Sequence, residues 1–281
     1  MLCFQPLSFC TNNVDGPLEL ALDVARDCGF RSVELAAIDG ICEHIEAEAV
    51  CLDYIRHIQS LLDARGLTCY AVSAHCDMTE PRSFARLLRK LEFAGQIGAK
   101  VVNTRCGPPE RAALFWAHLP RAAATAERYG FHLNLESYGD LVGSARQAGP
   151  VLERISFPQV GYTYDPGNTF RFARGQISIE DDLRSAPAKL SYLHLKDASL
   201  RDGLIWNDPI GSGQLNWPAI LERLEAVRPV LPASLEIPMT FRVRAEDLSF
   251  VFLHPSVPEV MQGIRDSLRY LSQLAEWRME A

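Results

Sequence analysis

The sequence predicts an α/β protein, a single (β/α)8 TIM barrel over residues 1–281, and three features carry that expectation. Eight short apolar segments alternate with eight stretches long enough for helices, the pattern of a parallel sheet wrapped by helices. Several helical stretches stop at glycine, in CGF, RGL, IGA and YGF, where a helix ends in a left-handed residue before the next strand. Four potential metal ligands, Glu136, Asp165, His194 and Glu236, each close an apolar run, at separations of 29, 29 and 42 residues. Each separation leaves room for one strand, one helix and the turns between them.

In chain order, strands are expected at 2–5, 32–35, 68–75, 100–105, 132–137, 160–165, 190–196 and 234–238. These runs are short and apolar and often end in a polar residue, as buried parallel strands do. Helices are expected over 17–28, 46–65, 83–97, 109–129, 141–154, 179–185, 217–227 and 257–277. In the last of these, Val260, Met261, Ile264, Leu268, Leu271 and Ala275 recur at helical spacing and form one stripe to lie on a barrel. No linker, low-complexity stretch or charge block interrupts the alternation.

Composition narrows the partners. A net charge of −7 with no lysine or arginine run argues against a nucleic-acid or anionic-membrane surface, which needs a stripe of cations to release counterions. Small neutral or locally neutralised substrates fit better. The eight cysteines form no CxxC pairs and all lie in the first 106 residues, as expected of isolated thiols in a reducing compartment. The opening MLCFQPLSFC lacks a basic segment followed by a continuous apolar stretch, and no later run reaches membrane-spanning length. A cytoplasmic protein is the expectation.

The ligand quartet is the chemical core of the sequence. Strand ends at the C-terminal rim are where such barrels place their chemistry. Three carboxylates and one imidazole converging there need a cation, and oxygen donors with one imidazole suit one divalent metal: Mn²⁺ first, with Mg²⁺, Co²⁺ or Zn²⁺ as alternatives. A metal that chelates a carbonyl and a neighbouring hydroxyl acidifies the intervening C–H and stabilises an enediolate. Return of the proton to the opposite face gives an epimer, its transfer to the next carbon gives an isomer, and loss of a β-hydroxyl gives dehydration.

The phrases HLNLES, YDPGN, YLHLKDA, PIGSGQLNW and LEIP, in that order, resemble the xylose-isomerase-like TIM barrels, the sugar phosphate isomerases and epimerases. The resemblance covers essentially the whole chain. It implies that Glu136, Asp165, His194 and Glu236 bind one metal, and that Glu136 and Glu236 also act as acid and base on opposite faces of the substrate. The activity implied is isomerisation or epimerisation of a small sugar, keto-sugar or cyclitol. The LKDA and LESYGD forms also resemble inosose dehydratases, which keeps a lyase as the alternative; a non-catalytic sugar-binding barrel is a third. The related AP endonucleases carry further metal-binding histidines, where this chain has Val102-Asn103-Thr104, Asn168 and Trp206-Asn207-Asp208.

Secondary positions extend the site. His75 ends the third expected strand, in AVSAHCD, where the resemblance puts a histidine facing the pocket; a satisfied core histidine is the alternative. Glu34, ending SVEL, is placed to bind a substrate hydroxyl or to buttress a ligand. Asn168 stands near the metal in relatives, although Asp-Pro-Gly-Asn is also a turn sequence. Lys196 shares the inward face of His194 and can orient a ligand carboxylate or polarise a substrate oxygen. Arg201 suits a substrate hydroxyl or carboxylate, or simply solvent. His75, Glu34 and Arg201 are expected to line the pocket above the metal and read substrate hydroxyls. The glycines of 210–213 read as a structural loop rather than a phosphate cradle. The connection 239–256, with Arg242, Arg244 and His254, suits a substrate lid or a contact in a homo-oligomer.

Overall fold

A computed structural model describes residues 2–279. The elements run β1 (Cys3–Cys10), α1 (Leu18–Asp27), β2 (Ser32–Ala36), α2 (Leu52–Asp63), β3 (Thr68–Asp77), α3 (Pro81–Ile97), β4 (Val101–Arg105), α4 (Ala112–Tyr129), β5 (His132–Glu136), α5 (Ala145–Glu153) and β6 (Val160–Tyr164). There follow α6 (Pro166–Phe172), α7 (Ile179–Asp182), β7 (Leu190–Leu195), β8 (Asp197–Arg201), β9 (Leu204–Asp208), α8 (Trp217–Val227), β10 (Val230–Leu235), β11 (Phe241–Arg244), β12 (Phe250–Phe252), α9 (Val257–Leu271) and β13 (Glu276–Trp277).

Strands β1 to β7 and β10 pair in parallel, each with its neighbour, and β10 returns to β1 with Phe4 opposite Leu231 and Phe9 opposite Leu235. The sheet is thereby closed: this is a (β/α)8 barrel. Its strands read as continuous apolar runs because barrel interior on one side and helices on the other bury both faces. Gly98 and Gly130 end α3 and α4 with φ of 86° and 72°, the left-handed conformation that glycine adopts without a Cβ penalty.

The structure corrects several sequence expectations. The first strand extends to Cys10 and the last begins at Val230, so Glu236 lies one residue beyond its strand. Residues 272–277 leave the final helix, and β13 adds to β1 with Phe4 opposite Trp277. Where Asp165-Pro-Gly-Asn168 also reads as a turn, residues 166–172 form α6: the Asp165 side chain accepts from Asn168 N at 2.8 Å and Pro166 fills the first helical position. The connections 197–208 and 239–256 are not open loops. They build an antiparallel sheet, β12-β11-β9-β8, above the C-terminal rim. Among the described residues no helix is long and apolar enough to cross a membrane.

Candidate metal centre

The four ligand candidates meet at that rim. Glu136 is the last residue of β5, Asp165 follows β6, His194 is the penultimate residue of β7 and Glu236 follows β10. One donor atom from each lies within 4.8 Å of the other three, and all four side chains are buried. His194 turns Nδ1 toward the carboxylates, at 2.9 Å from Glu236 Oε2, 3.3 Å from Glu136 Oε1 and 3.8 Å from Asp165 Oδ2. Its Nε2 points the other way, 3.1 Å from Glu34 Oε1. That arrangement places a carboxylate behind the imidazole and aims Nδ1 at the centre.

Glu34 is held by a polar layer inside the barrel. Ser73 Oγ and Asn103 Nδ2 each donate to its Oε1 at 2.7 Å, and Ser234 Oγ donates to Oε2 at 2.5 Å. Thr163 Oγ1 donates to Asn103 Oδ1 at 2.6 Å and receives from Asn134 Nδ2 at 3.0 Å. Sequence reasoning missed this layer, although a signal existed. Asn134, Thr163 and Ser234 each stand two residues before a ligand carboxylate, and alternate strand residues share a face.

Above this layer, Lys196 lies among the carboxylates, its Nζ 2.7 Å from Asp165 Oδ2 and 2.9 Å from Glu236 Oε1. Asn12 Nδ2 donates to Glu236 Oε1, and Asn168 Nδ2 to Glu136 Oε1, both at 2.7 Å. Asn12 was not foreseen. It also lines a cavity of about 270 Å³ between residues 12–16, 41–44 and 240–254, which brings that cavity within one side chain of Glu236. His75 Nε2 lies 2.5 Å from Glu136 Oε2, and its ring meets that of Tyr138 edge-on at 5.4 Å.

Electrostatics bind the cluster together. Burial opposes ionisation of Glu136, but His75 and His194 outweigh it and hold the carboxyl below its usual range. Burial likewise opposes Glu236, and Lys196 and His194 carry it well below the usual value. For Glu34, burial is overcome by the charge and hydrogen bond of His194 and by Ser234, again lowering the pKa. Burial disfavours the His194 cation, yet Glu34, Glu136 and Glu236 raise it well above an ordinary imidazole. Lys196 is raised in the same way, Asp165 and Glu236 offsetting its burial.

These residues fit a divalent cation. Glu34, Glu136, Asp165 and Glu236 face His194 and Lys196, with His75 against Glu136, so the carboxylates still outnumber the basic groups among them. Glu136 Oε2, Glu236 Oε2 and His194 Nδ1 are buried without an aligned hydrogen-bond partner, as atoms reserved for a ligand bond would be. Among the described residues this is the one such convergence of three or more histidine, cysteine, aspartate or glutamate side chains.

Of the residues expected to read substrate, Glu34 lies inside the barrel behind His194, with no exposed surface to meet a hydroxyl. Arg201 is half-exposed and pairs with Asp208 while its guanidinium lies over the Trp206 ring at 4.5 Å, away from the ligand set. His75 is buried but touches Glu136 directly. The glycine loop 210–213 wraps a carboxylate: Asp197 accepts from Gly211 N at 2.8 Å, Gly213 N at 3.1 Å and Leu215 N at 3.3 Å. Two basic residues not foreseen are Arg105, at the end of β4, and Arg171, on α6; their guanidinium carbons stand 4.7 and 5.0 Å from the centre of the Tyr138 ring.

Comparison with known proteins agrees with the architecture. A search of curated protein sequences returns no match. A xylose isomerase domain protein from Alicyclobacillus acidocaldarius subsp. acidocaldarius superposes with a TM-score of 0.70 at 20% identity, covering 96% of this chain and 99% of that one. A xylose isomerase-like TIM barrel protein from Mycobacterium smegmatis in complex with magnesium gives 0.69 at 17%, covering 94% and 98%. D-allulose 3-epimerase from Methylomonas sp. in complex with D-allulose gives 0.69 at 14%, covering 98% and 100%. At these identities the likenesses establish the fold. The sequence profile of the xylose isomerase-like TIM barrels matches residues 22–276, and the chain belongs to that family.

Proposed function

We propose that the chain is a divalent-metal-dependent isomerase or epimerase of a small sugar, keto-sugar or cyclitol, acting by proton abstraction next to a carbonyl through an enediolate. The observation that carries this reading is the convergence of Glu136, Asp165, His194 and Glu236 at one rim, each offering a donor atom within 4.8 Å of the other three. A bound divalent cation supplies Lewis acidity, which lowers the cost of removing a proton beside a carbonyl. The magnesium bound by the mycobacterial barrel and the ketose bound by the epimerase are compatible with such a centre.

The protein's own residues divide the remaining work. Glu136 and Glu236 are the acid/base pair, set against a substrate from different strands. Asn168 on Glu136, with Asn12 and Lys196 on Glu236, occupies one oxygen of each carboxylate and fixes its orientation, while the other oxygen, which would take or return a proton, faces a ring nitrogen, of His75 for Glu136 and of His194 for Glu236. His75, against Glu136 Oε2, orients that carboxylate and can exchange a proton with it. Water is kept out by burial of the whole set.

The test is NMR of deuterium uptake from D₂O across ketoses, aldoses and inososes with Mn²⁺ present. Exchange at a C–H beside the carbonyl is expected, with an epimer or isomer as product. Glu236→Gln, with metal still bound, should lower exchange by about 10² or more, as removal of a general base does. Exchange by Glu236→Gln at the wild-type rate would assign the base elsewhere. An alkene product would make the chain a lyase.

A further inference from the structure

Arg171 is 5% exposed, and among the described residues its side chain forms no hydrogen bond or ion pair. Its guanidinium carbon instead stands over rings: 5.0 Å from Tyr138, 4.7 Å from Phe172 and 6.0 Å from Phe250. Ring faces attract the cation but accept no N–H, and Arg171 Nη2 is left buried without an acceptor. Arg105 repeats the pattern on the same ring, with a buried and unbonded Nε. Asp140, a carboxylate that Arg105 acts on, is already taken up by the N–H groups of Cys106, Gly107 and Val142 at 2.8, 2.9 and 3.3 Å. A buried guanidinium without a carboxylate, beside a second that is only partly buried, is costly, and such a cost persists where a ligand offsets it.

Their place beside the centre indicates which ligand. Arg171 lies one helical turn beyond Asn168, whose amide is on Glu136. Tyr138, the ring both arginines share, meets the His75 ring that contacts Glu136. Tyr138 is itself only partly buried, so the ring that both arginines share reaches the surface.

We propose that Arg105 and Arg171, gathered on Tyr138, receive an anionic group, a carboxylate or a phosphate, carried by the substrate at the end remote from the reacting carbons. Planar guanidinium groups match either oxyanion through paired N–H donors, and the rings hold them in place before the ligand arrives. The substrate is then a hydroxylated keto compound of a few carbons with one acidic terminus. This inference rests on the proposed reaction only for the identity of the other end of the molecule.

The experiment titrates the Mg²⁺-loaded protein calorimetrically with inorganic phosphate, acetate and the neutral isostere acetamide at constant ionic strength. At least one anion should bind saturably where acetamide does not; preference for phosphate points to a phosphate ester, and preference for acetate to a carboxylic acid. Arg171→Met should weaken that binding by about 10²-fold or to below detection, Arg171→Lys should retain part of it, and both should keep the wild-type metal content. Because the substitution removes an uncompensated buried charge, the thermal midpoint of ligand-free Arg171→Met should hold or rise. Equal binding of the anions and acetamide, unchanged anion binding by Arg171→Met, or a lowered midpoint with no change in binding would overturn the proposal. Anion binding without deuterium exchange on any substrate overturns the reaction and leaves this site standing. Deuterium exchange on neutral ketoses by a wild type that shows no saturable anion binding does the reverse.

Discussion

His194 links barrel interior and rim. Nδ1 faces the carboxylates only because Nε2 is engaged by Glu34, which the polar layer of Ser73, Asn103 and Ser234 fixes in turn. A carboxylate behind a ligand imidazole sets its tautomer and raises its basicity. Glu34→Gln should therefore lower Mn²⁺ affinity by about 10–100-fold while leaving the far-ultraviolet circular dichroism unchanged, as read by metal titration. Unaltered affinity would make Glu34 a packing residue. The residue identities at the rim were legible because each ligand closes an apolar run. The role of Glu34 was legible only as one of two alternatives, since a sequence does not say that residues 34 and 194 face each other across a barrel.

At the scale of elements, α3 is anchored to the rim by a buried amine. Lys90, with no exposed surface, donates to Ala37 O at 2.6 Å, contacts Cys76 Sγ at 3.4 Å and pairs with Asp39, which also receives Arg86. Burial works against the Asp39 charge, but the Lys90 and Arg86 hydrogen bonds prevail and lower its pKa. Its stabilising contribution is then present above the ordinary aspartate pKa and is lost as pH falls through the lowered value. Asp39→Asn leaves Lys90 buried and under-compensated, and should cost about 3 kcal/mol in urea unfolding at neutral pH. The gap between variant and wild type should close as pH falls below about 4; a gap independent of pH would deny the pair its role.

Other elements escaped the sequence reading for identifiable reasons. Residues 197–208 carry Asp202-Gly203 at φ of 50° and 75°, the positive-φ pair that closes a tight hairpin, but short strands outside the barrel do not stand out in the apolar pattern that marks the barrel strands. In α6, Pro166-Gly167 reads as a turn, yet Asp165 before a proline is equally a helix start. The pairing of Arg105 and Arg171 left no mark in spacing, because it depends on a ring, Tyr138, contributed by the segment after β5.

For the whole molecule, order of segments decided the fold: eight apolar runs separated by helix-length stretches leave a parallel barrel as the arrangement that buries every strand. Closure of β10 on β1 then brings Glu236 round to Asn12, 224 residues away in sequence, and turns four separated strand ends into one site. A chain of net charge −7 that buries four carboxylates around two imidazoles and one amine is arranged to attract a cation to its rim. The most direct measurement is a Mn²⁺ titration of the metal-stripped protein followed by electron paramagnetic resonance of free ion. The wild type should bind one ion per chain, and Asp165→Asn and His194→Ala should each weaken that binding by at least about 10²-fold without unfolding the barrel. No saturable binding by the wild type, or binding that survives both substitutions unchanged, would contradict the account.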